Sequence, residues 1–155
     1  IWYEDYIASS FNNILLLVSR QQQNGENYTV TIPEEIEMAV SYFNENYNTK
    51  ISVAQYAESL HISTNWFIRN FKQHMKMSPA QYLLSLRMVN AQSLLENTDY
   101  SVGEIAEIVG YDNQLYFSRV FKKEYGISPA QYRKRAENQS AAPMESDVGE
   151  ITRED

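Results

Sequence analysis

A five-residue string occurs twice in the chain, and this internal repeat limits the possible folds more than any other feature. Ser78-Pro79-Ala80-Gln81-Tyr82 returns as Ser128-Pro129-Ala130-Gln131-Tyr132, at an offset of 50 residues. The same offset aligns Phe67, Arg69, Phe71 and Lys72 with Phe117, Arg119, Phe121 and Lys122. Further upstream an offset of 49 aligns Ser52 with Ser101, so one residue has been added between the two blocks. The sequence therefore predicts two copies of one unit of about thirty residues.

Each copy has the pattern of two short helices joined by a turn. The residues with the i, i+3, i+4, i+7 spacing of a first helix are Val53, Tyr56, Ala57 and Leu60 in one copy and Val102, Ile105, Ala106 and Val109 in the other. Ser52 and Ser101 are the predicted N-caps of these helices, and Gly110 is a predicted stop. Ser63 or Thr64 caps the second helix of the first copy, whose apolar face contains Phe67, Ile68 and Phe71, and Asn113 begins that of the second. This is helix-turn-helix geometry.

A long connecting helix is predicted between the copies. Pro79 suits a helix start, and residues 80–97 follow it without a break. The apolar residues that keep a helical period in this segment are Tyr82, Leu83, Leu86, Val89, Leu94 and Leu95. Its length of about 27 Å lets the two second helices lie about 34 Å apart, one turn of B-DNA. A further helix over residues 33–46 packs in front of the first copy, so the predicted fold class is all-α.

The most specific segments are residues 106–111, 116–123 and 126–133, which read AEIVGY, YFSRVFKK and GISPAQYR. With them, the region 33–137 resembles the DNA-binding domain of AraC/XylS-type bacterial transcription regulators. The resemblance implies seven helices in two helix-turn-helix subdomains, binding to asymmetric promoter DNA, and activation of transcription through contact with RNA polymerase. Many members also carry an N-terminal effector domain, for which the 32 preceding residues are too few. We therefore expect a longer protein, in which any small-molecule effector binds a part missing from this chain.

The second helix of each unit is expected to present its outward face to DNA. The residues predicted to contact bases are Asn65, Ile68, Arg69, Gln73, Gln114, Leu115, Ser118 and Arg119. Those predicted to contact phosphates are Lys72, His74, Lys76, Tyr116, Lys122 and Lys123. Each has an ordinary alternative: a solvated face or a salt bridge for the arginines, solvation for the lysines and packing for Tyr116. The run from Arg133 to Arg135 fits a charge complement at a helix end better than a DNA contact.

Composition restricts the other functions. The net charge of −7 opposes DNA binding, but residues 33–137 hold eleven basic and twelve acidic side chains, with the basic ones grouped. The chain has no cysteine and only two histidines, His61 and His74, so no metal site, cofactor or catalytic constellation is predicted, and an enzyme is not expected. The longest apolar run, residues 14–18, is too short for a membrane span, and a cytoplasmic location is expected.

The two ends of the chain are expected to lie outside the DNA-binding domain. Residues 1–22 are predicted to form an extra N-terminal amphipathic helix, of which the part from Tyr6 to Gln22 looks similar to the helix that closes the effector domain of sugar-responsive members. Its seam offers a possible homodimer contact through Ile7, Phe11, Ile14 and Val18. Residues 23–32 are predicted to be a linker, and residues 138–155 a disordered acidic tail. The alternative function is a helical protein-interaction or dimerisation adaptor without direct DNA binding, which the salt dependence of binding distinguishes.

Overall fold

The computed structural model describes residues 32–140, which consist of helices and the turns between them. The helices are α1 (Glu34–Asn46), α2 (Val53–Ser59), α3 (Thr64–Met75), α4 (Pro79–Asn97), α5 (Val102–Ile108), α6 (Gln114–Tyr125) and α7 (Pro129–Ser140). The predicted all-α fold, two helix-turn-helix units joined by a long helix, is confirmed. None of the helices within this range combines the length and apolar character needed to cross a bilayer.

The boundaries expected at the two ends of the chain can be compared with the structure only within residues 32–140. The expected helix over residues 1–22 and the linker as far as residue 31 lie outside the described residues. The acidic tail was expected to start at residue 138, whereas α7 continues through Ser140. The remainder of that tail also lies outside the described range.

Side-chain caps explain where six of the seven helices within residues 32–140 begin. Each cap accepts a hydrogen bond from the backbone N–H three residues on, and the six caps are Ser52, Ser63, Ser78, Ser101, Asn113 and Ser128. Such a cap stabilises a helix by about 1 kcal/mol. The prediction is confirmed for Ser52 and Ser101, and of the two candidates before α3 it is Ser63 that caps. Asn113 lies one residue before α6 as its cap. The turns are therefore fixed by the local sequence.

Two buried clusters hold the fold together, one for each unit. The first contains Ile36, Ala39, Phe43, Ala57, Phe67, Phe71 and Leu83. The second contains Met88, Ala91, Leu95, Ile105, Ala106, Val109, Tyr111, Phe117 and Phe121. Burial of one large apolar side chain contributes about 1.5–3 kcal/mol, so the phenylalanines dominate both clusters. Ala57 and Ala106 are equivalent and fully or almost fully buried, which agrees with a close crossing of the two helices of each unit.

The connecting helix α4 belongs to both clusters. Leu83 is buried in the first cluster, whereas Met88, Ala91 and Leu95 are buried in the second. At about 100° per residue these two sets lie on different faces of the helix. Val89, which belongs to the apolar period of this segment, is part of neither cluster and is 40% exposed. The helix therefore joins the units by contacting each of them with a separate face.

Candidate nucleic-acid interface

The two second helices, α3 and α6, have the same buried face. Phe67 and Phe71 of α3 and Phe117 and Phe121 of α6 are all fully buried. Because residues four apart lie on one side of a helix, these pairs fix the inward side of each helix. The opposite side of both helices is left facing solvent, at equivalent positions of the repeat.

Helix α3 exposes every residue for which a base contact was predicted. Asn65, Ile68, Arg69 and Gln73 are all exposed, although Ile68 had also been assigned to the apolar face. The side chain of Ile68 is 38% exposed and lies at the edge of the buried side. Sequence spacing alone left the position of this isoleucine open, because it follows Phe67 directly and lies about 100° from it around the helix.

Helix α6 exposes a larger apolar surface than α3. Leu115 is 69% exposed and Tyr116 is 59% exposed, and they are the most exposed large apolar side chains of the described region. The ring of Tyr116 lies 5.9 Å from that of the buried Tyr111, so it also packs in part. Gln114 and Arg119 are exposed, and Ser118 is half-buried. Leu115 is therefore an apolar residue without cover at the N-terminal end of α6.

Arg69 and Arg119 occupy the same position in the two units. Both are exposed, and within residues 32–140 neither guanidinium has a hydrogen bond or an ion pair. The single ion pair in this range joins Lys50 and Asp112 elsewhere on the surface. Within the described part of the chain the two arginines therefore have no salt-bridge partner, and their guanidinium groups are available to solvent or to a ligand.

Basic side chains follow the arginines toward the C-terminal ends of both helices. Lys72, Lys122 and Lys123 are exposed, and α3 contains no acidic residue. Their position also compensates the negative end of the helix dipole. His74 is half-buried, and the ammonium of Lys76 donates a hydrogen bond to the carbonyl of Gln73 over 2.9 Å.

Lys76 is the residue that ends α3, in a left-handed conformation with φ 61°. An ammonium has three donors, so the hydrogen bond to Gln73 leaves two of them for a phosphate. The side chain is exposed. Lys76 therefore has a local structural role, and its contact with a phosphate stays a prediction.

Two other arginines hold the fold through backbone carbonyls. Arg133 donates to the carbonyls of Leu95 and Tyr100, at and just beyond the end of α4. It thus complements a helix end, as predicted for the run from Arg133 to Arg135, although the end is that of α4. Arg87 has the same type of role, and sequence reasoning did not identify it. Its one signal is that it is the only basic residue of α4.

A metal site finds no support in the geometry. Within the described range, no three side chains among His, Asp and Glu come together in a way that could hold a metal ion. His61 is exposed at the turn between α2 and α3, and His74 is in the last turn of α3. The exposed faces of α3 and α6 offer hydrogen-bonding groups and positive charge beside the apolar side chains of Ile68 and Leu115.

Curated relatives of the chain are bacterial transcription regulators. The chain is 37% identical over 108 residues to the raffinose operon transcriptional regulatory protein RafR of Pediococcus pentosaceus, which covers 70% of this chain and 39% of the relative. It is 36% identical over 125 residues to the HTH-type transcriptional activator RhaR of Mannheimia succiniciproducens, which covers 81% of this chain and 45% of the relative. The chain thus spans less than half the length of these two relatives.

Solved structures and a family profile agree with this similarity. The C-terminal domain of AraT, a response regulator from Geobacillus stearothermophilus, has a TM-score of 0.65 and 32% identity, covering 79% of this chain and 96% of its own. The DNA-binding domain of AdpA, solved in complex with a target DNA, has a TM-score of 0.64 and 30% identity, covering 68% and 95%. The profile of a helix-turn-helix domain matches residues 56–135, more than half of the chain. The chain therefore belongs to the AraC/XylS-type family of DNA-binding transcription regulators.

Proposed function

We propose that the chain regulates transcription by inserting α3 and α6 into successive major grooves of double-stranded promoter DNA. One observation carries the proposal: Arg69 and Arg119 are exposed at equivalent positions of the two units and have no protein partner among the described residues. A guanidinium suits guanine, whose O6 and N7 atoms accept two parallel hydrogen bonds from it. On this proposal the chain acts by binding DNA and not by catalysis, and it does so in the bacterial cytoplasm, where promoter DNA lies.

The proposed base contacts come from the outward faces near the N-terminal halves of both helices. Asn65 and Gln114 bear amides, which pair with the N6 and N7 atoms of adenine. Leu115 is suited to the methyl group of thymine, which gives its exposed side chain an apolar partner. The remaining residues of the set are Ile68, Arg69, Gln73, Ser118 and Arg119.

The proposed phosphate contacts lie further along the same helices and fix the register on the duplex. They come from Lys72, His74, Lys76, Tyr116, Lys122 and Lys123. Phosphate contacts supply affinity without sequence information. The repeat of lysines at equivalent positions, Lys72 and Lys122, supports a similar approach of both units to the backbone.

The spacing of the two helices supports a site with two half-sites. The connecting helix α4 has 19 residues and spans about 28 Å, to which each unit adds its own offset. Centres of successive major grooves on one face of B-DNA are about 34–36 Å apart. The proposed site therefore has two half-sites about one helical turn apart.

We further propose that the chain activates transcription through RNA polymerase, as part of a longer, effector-responsive protein. The support is the family and the similarity to RhaR, which is named a transcriptional activator. A homodimer through Ile7, Phe11, Ile14 and Val18 remains a proposal on residues outside the described range.

The experiment is a selection of random duplexes by the full chain, followed by sequencing, for the wild type and for Arg69→Ala, Arg119→Ala and Arg135→Ala. We expect Arg69→Ala to relax base preference at one step by about 1–3 kcal/mol. Arg119→Ala should do the same about 10 base pairs away. Arg135 is an exposed arginine of α7 and serves as the control, since its loss removes the same charge outside the proposed interface.

Two results would contradict the proposal. The first is an absence of any preferred sequence for the wild type, which is the outcome expected of a protein-binding adaptor. The second is an equal loss of affinity for all duplexes in the Arg69→Ala and Arg135→Ala variants, which would reduce Arg69 to a general positive charge.

A further inference from the structure

The two helix-turn-helix units touch each other directly, apart from their shared helix α4. The loop between α1 and α2 meets the turn between α5 and α6. The ammonium of Lys50 in that loop lies 2.8 Å from the carboxylate of Asp112 in the turn. These groups influence each other: Asp112 raises the pKa of Lys50, and Lys50 lowers the pKa of Asp112. We name the loop residues 47–50, the turn residues 110–112 and Arg87 the inter-unit contact.

Arg87 binds both sides of the inter-unit contact from α4. Its Nε donates to the carbonyl of Tyr47, and its Nη2 donates to the carbonyl of Thr49, both over 2.7 Å. The guanidinium also lies 5.2 Å from the centre of the Tyr111 ring, within the range of a cation–π interaction. Burial raises the pKa of Tyr111, and the nearby Arg87 opposes that shift. One side chain thus ties the loop of the first unit to the turn of the second.

Gly110 allows the two backbones to meet. A Cβ atom built at this position would lie 2.4 Å from the carbonyl oxygen of Asn48, closer than real Cβ atoms approach. The equivalent residue of the first unit, at the offset of 49, is His61. It has the same left-handed backbone, with φ 57° against 88° for Gly110, and its side chain is exposed. The turn conformation alone therefore tolerates a side chain, and the close approach of Asn48 is what requires glycine at position 110.

We propose that the inter-unit contact is a positioning clamp, which fixes α3 relative to α6 and makes binding depend on the distance between the two half-sites. The inference rests on the proposed function. The shared helix α4 attaches each unit to one axis, but long helices curve gently. The direct contact between the α1–α2 loop and the α5–α6 turn is a second connection between the units, and it resists bending of α4. Arg87, Gly110 and the pair of Lys50 and Asp112 are therefore positioning residues for DNA recognition.

The ion pair alone does not hold the units together. The side chains of Lys50 and Asp112 are 86% and 78% exposed, and pairs of this kind are strongly screened by solvent. The packing of Gly110 on Asn48 and the hydrogen bonds of Arg87 form the main part of the clamp. The ion pair lies at the exposed edge of the clamp, so the charges of Lys50 and Asp112 can be reversed in a test.

The test compares Gly110→Ala with Gly126→Ala in the full chain. Gly126 also has a left-handed backbone, with φ 80°, but a Cβ atom there meets nothing within 4 Å. Both variants carry the same kind of backbone strain, and only Gly110→Ala separates the units. The dissociation constant is measured on the duplex selected by the wild type and on the same duplex with one base pair inserted between the half-sites. That insertion adds about 3.4 Å and rotates one half-site by about 35°.

We expect the wild type and Gly126→Ala to lose about tenfold or more in affinity on the insertion, because a rigid pair of helices no longer fits both half-sites. Gly110→Ala should lose less than about threefold, and its affinity for an isolated half-site should remain that of the wild type. If the inserted base pair lowered the affinity of Gly110→Ala as much as that of Gly126→Ala, the clamp would be overturned and the proposed function would remain intact. An absence of sequence preference in the wild type would instead overturn the proposed function.

A charge-reversal series keeps the inference testable if Gly110→Ala does not fold. Lys50→Glu places two carboxylates at the edge of the clamp, and because both side chains are largely exposed, the change leaves no buried charge. Because the pair is screened by solvent, we expect the insertion penalty to fall less in Lys50→Glu than in Gly110→Ala, and to recover in Lys50→Glu with Asp112→Lys. A penalty that is the same in all three proteins, with Gly110→Ala unfolded or unchanged, would overturn the clamp.

Discussion

Glu104 closes the first turn of α5 through two hydrogen bonds with Ser101. Its carboxylate accepts from the backbone N–H of Ser101 over 2.7 Å, and the Ser101 hydroxyl accepts from the Glu104 N–H over 3.2 Å. Interactions with the hydroxyl of Ser101 and, next in effect, with its backbone N–H lower the pKa of Glu104. The equivalent residue of the first unit is Gln55, which carries no charge. Only the second unit therefore begins with a titratable cap.

This cap predicts a pH-dependent part of the stability. Because the pKa of Glu104 is lower in the folded chain, its contribution is complete above the ordinary pKa of about 4.3 and is lost as pH falls through the lowered value. Glu104→Gln should therefore be less stable than the wild type near neutral pH, and the difference should shrink in acid. Urea unfolding from about pH 7 to about pH 3 measures it. Glu107→Gln removes one charge from the same helix and is the control. A difference that stays constant with pH would refute the prediction.

The sequence predicted residues best where their structure depends on near neighbours. Ser52 and Ser101 were identified as caps because a cap needs only its own first turn. The inward phenylalanines followed from spacing along one helix. Gly110 was identified as a helix stop, but its contact with Asn48 lies 62 residues away in sequence and left no local signal. The same holds for Arg87, whose hydrogen-bond acceptors are backbone carbonyls about 40 residues away.

At the scale of the elements, helix α4 was predicted correctly, but its predicted apolar residues did not include Met88 and Ala91, which are buried in the second cluster. A period of apolar residues was recognised, and the helix itself is confirmed at Pro79–Asn97. Period analysis assumes one buried face, whereas α4 is buried on two. Ala91 and Met88 lie in the second cluster, whereas Val89 belongs to neither cluster and is 40% exposed. The missing information was the position of the second unit, which is a tertiary property.

Adjacent residues of α4 allow a direct test of this arrangement. Met88 is fully buried, so Met88→Ala should lower the free energy of unfolding by about 2–5 kcal/mol. Val89 is 40% exposed, and alanine has the better helix propensity, so Val89→Ala should cost less than about 1 kcal/mol. Urea unfolding of both variants, with equal m-values, gives the comparison. Equal destabilisation by the two changes would mean that α4 faces the second unit with another side.

For the whole molecule, the main conflict is between a net charge of −7 and a DNA ligand. Most of that charge lies in residues 1–32 and 138–155, at the ends of the chain. The helices that carry the proposed interface have one acidic residue between them, Glu124, against six arginines and lysines in α3, α6 and the α3 cap. Because fields at short range depend on local charge, we expect DNA binding to follow the charge of this face rather than the net charge of the chain.

The dependence of affinity on salt tests this view of the charge. Each phosphate neutralised by the protein contributes about −0.9 to the slope of log K against log salt. Lys122→Gln should therefore make the slope less steep by about 1 and weaken all duplexes alike, without changing the selected sequence. Lys134→Gln, an exposed lysine of α7, removes the same charge away from α3 and α6 and should leave the slope unchanged. If Lys134→Gln changed the slope and Lys122→Gln did not, the duplex would lie against α7, and the assignment of α6 to the major groove would be wrong.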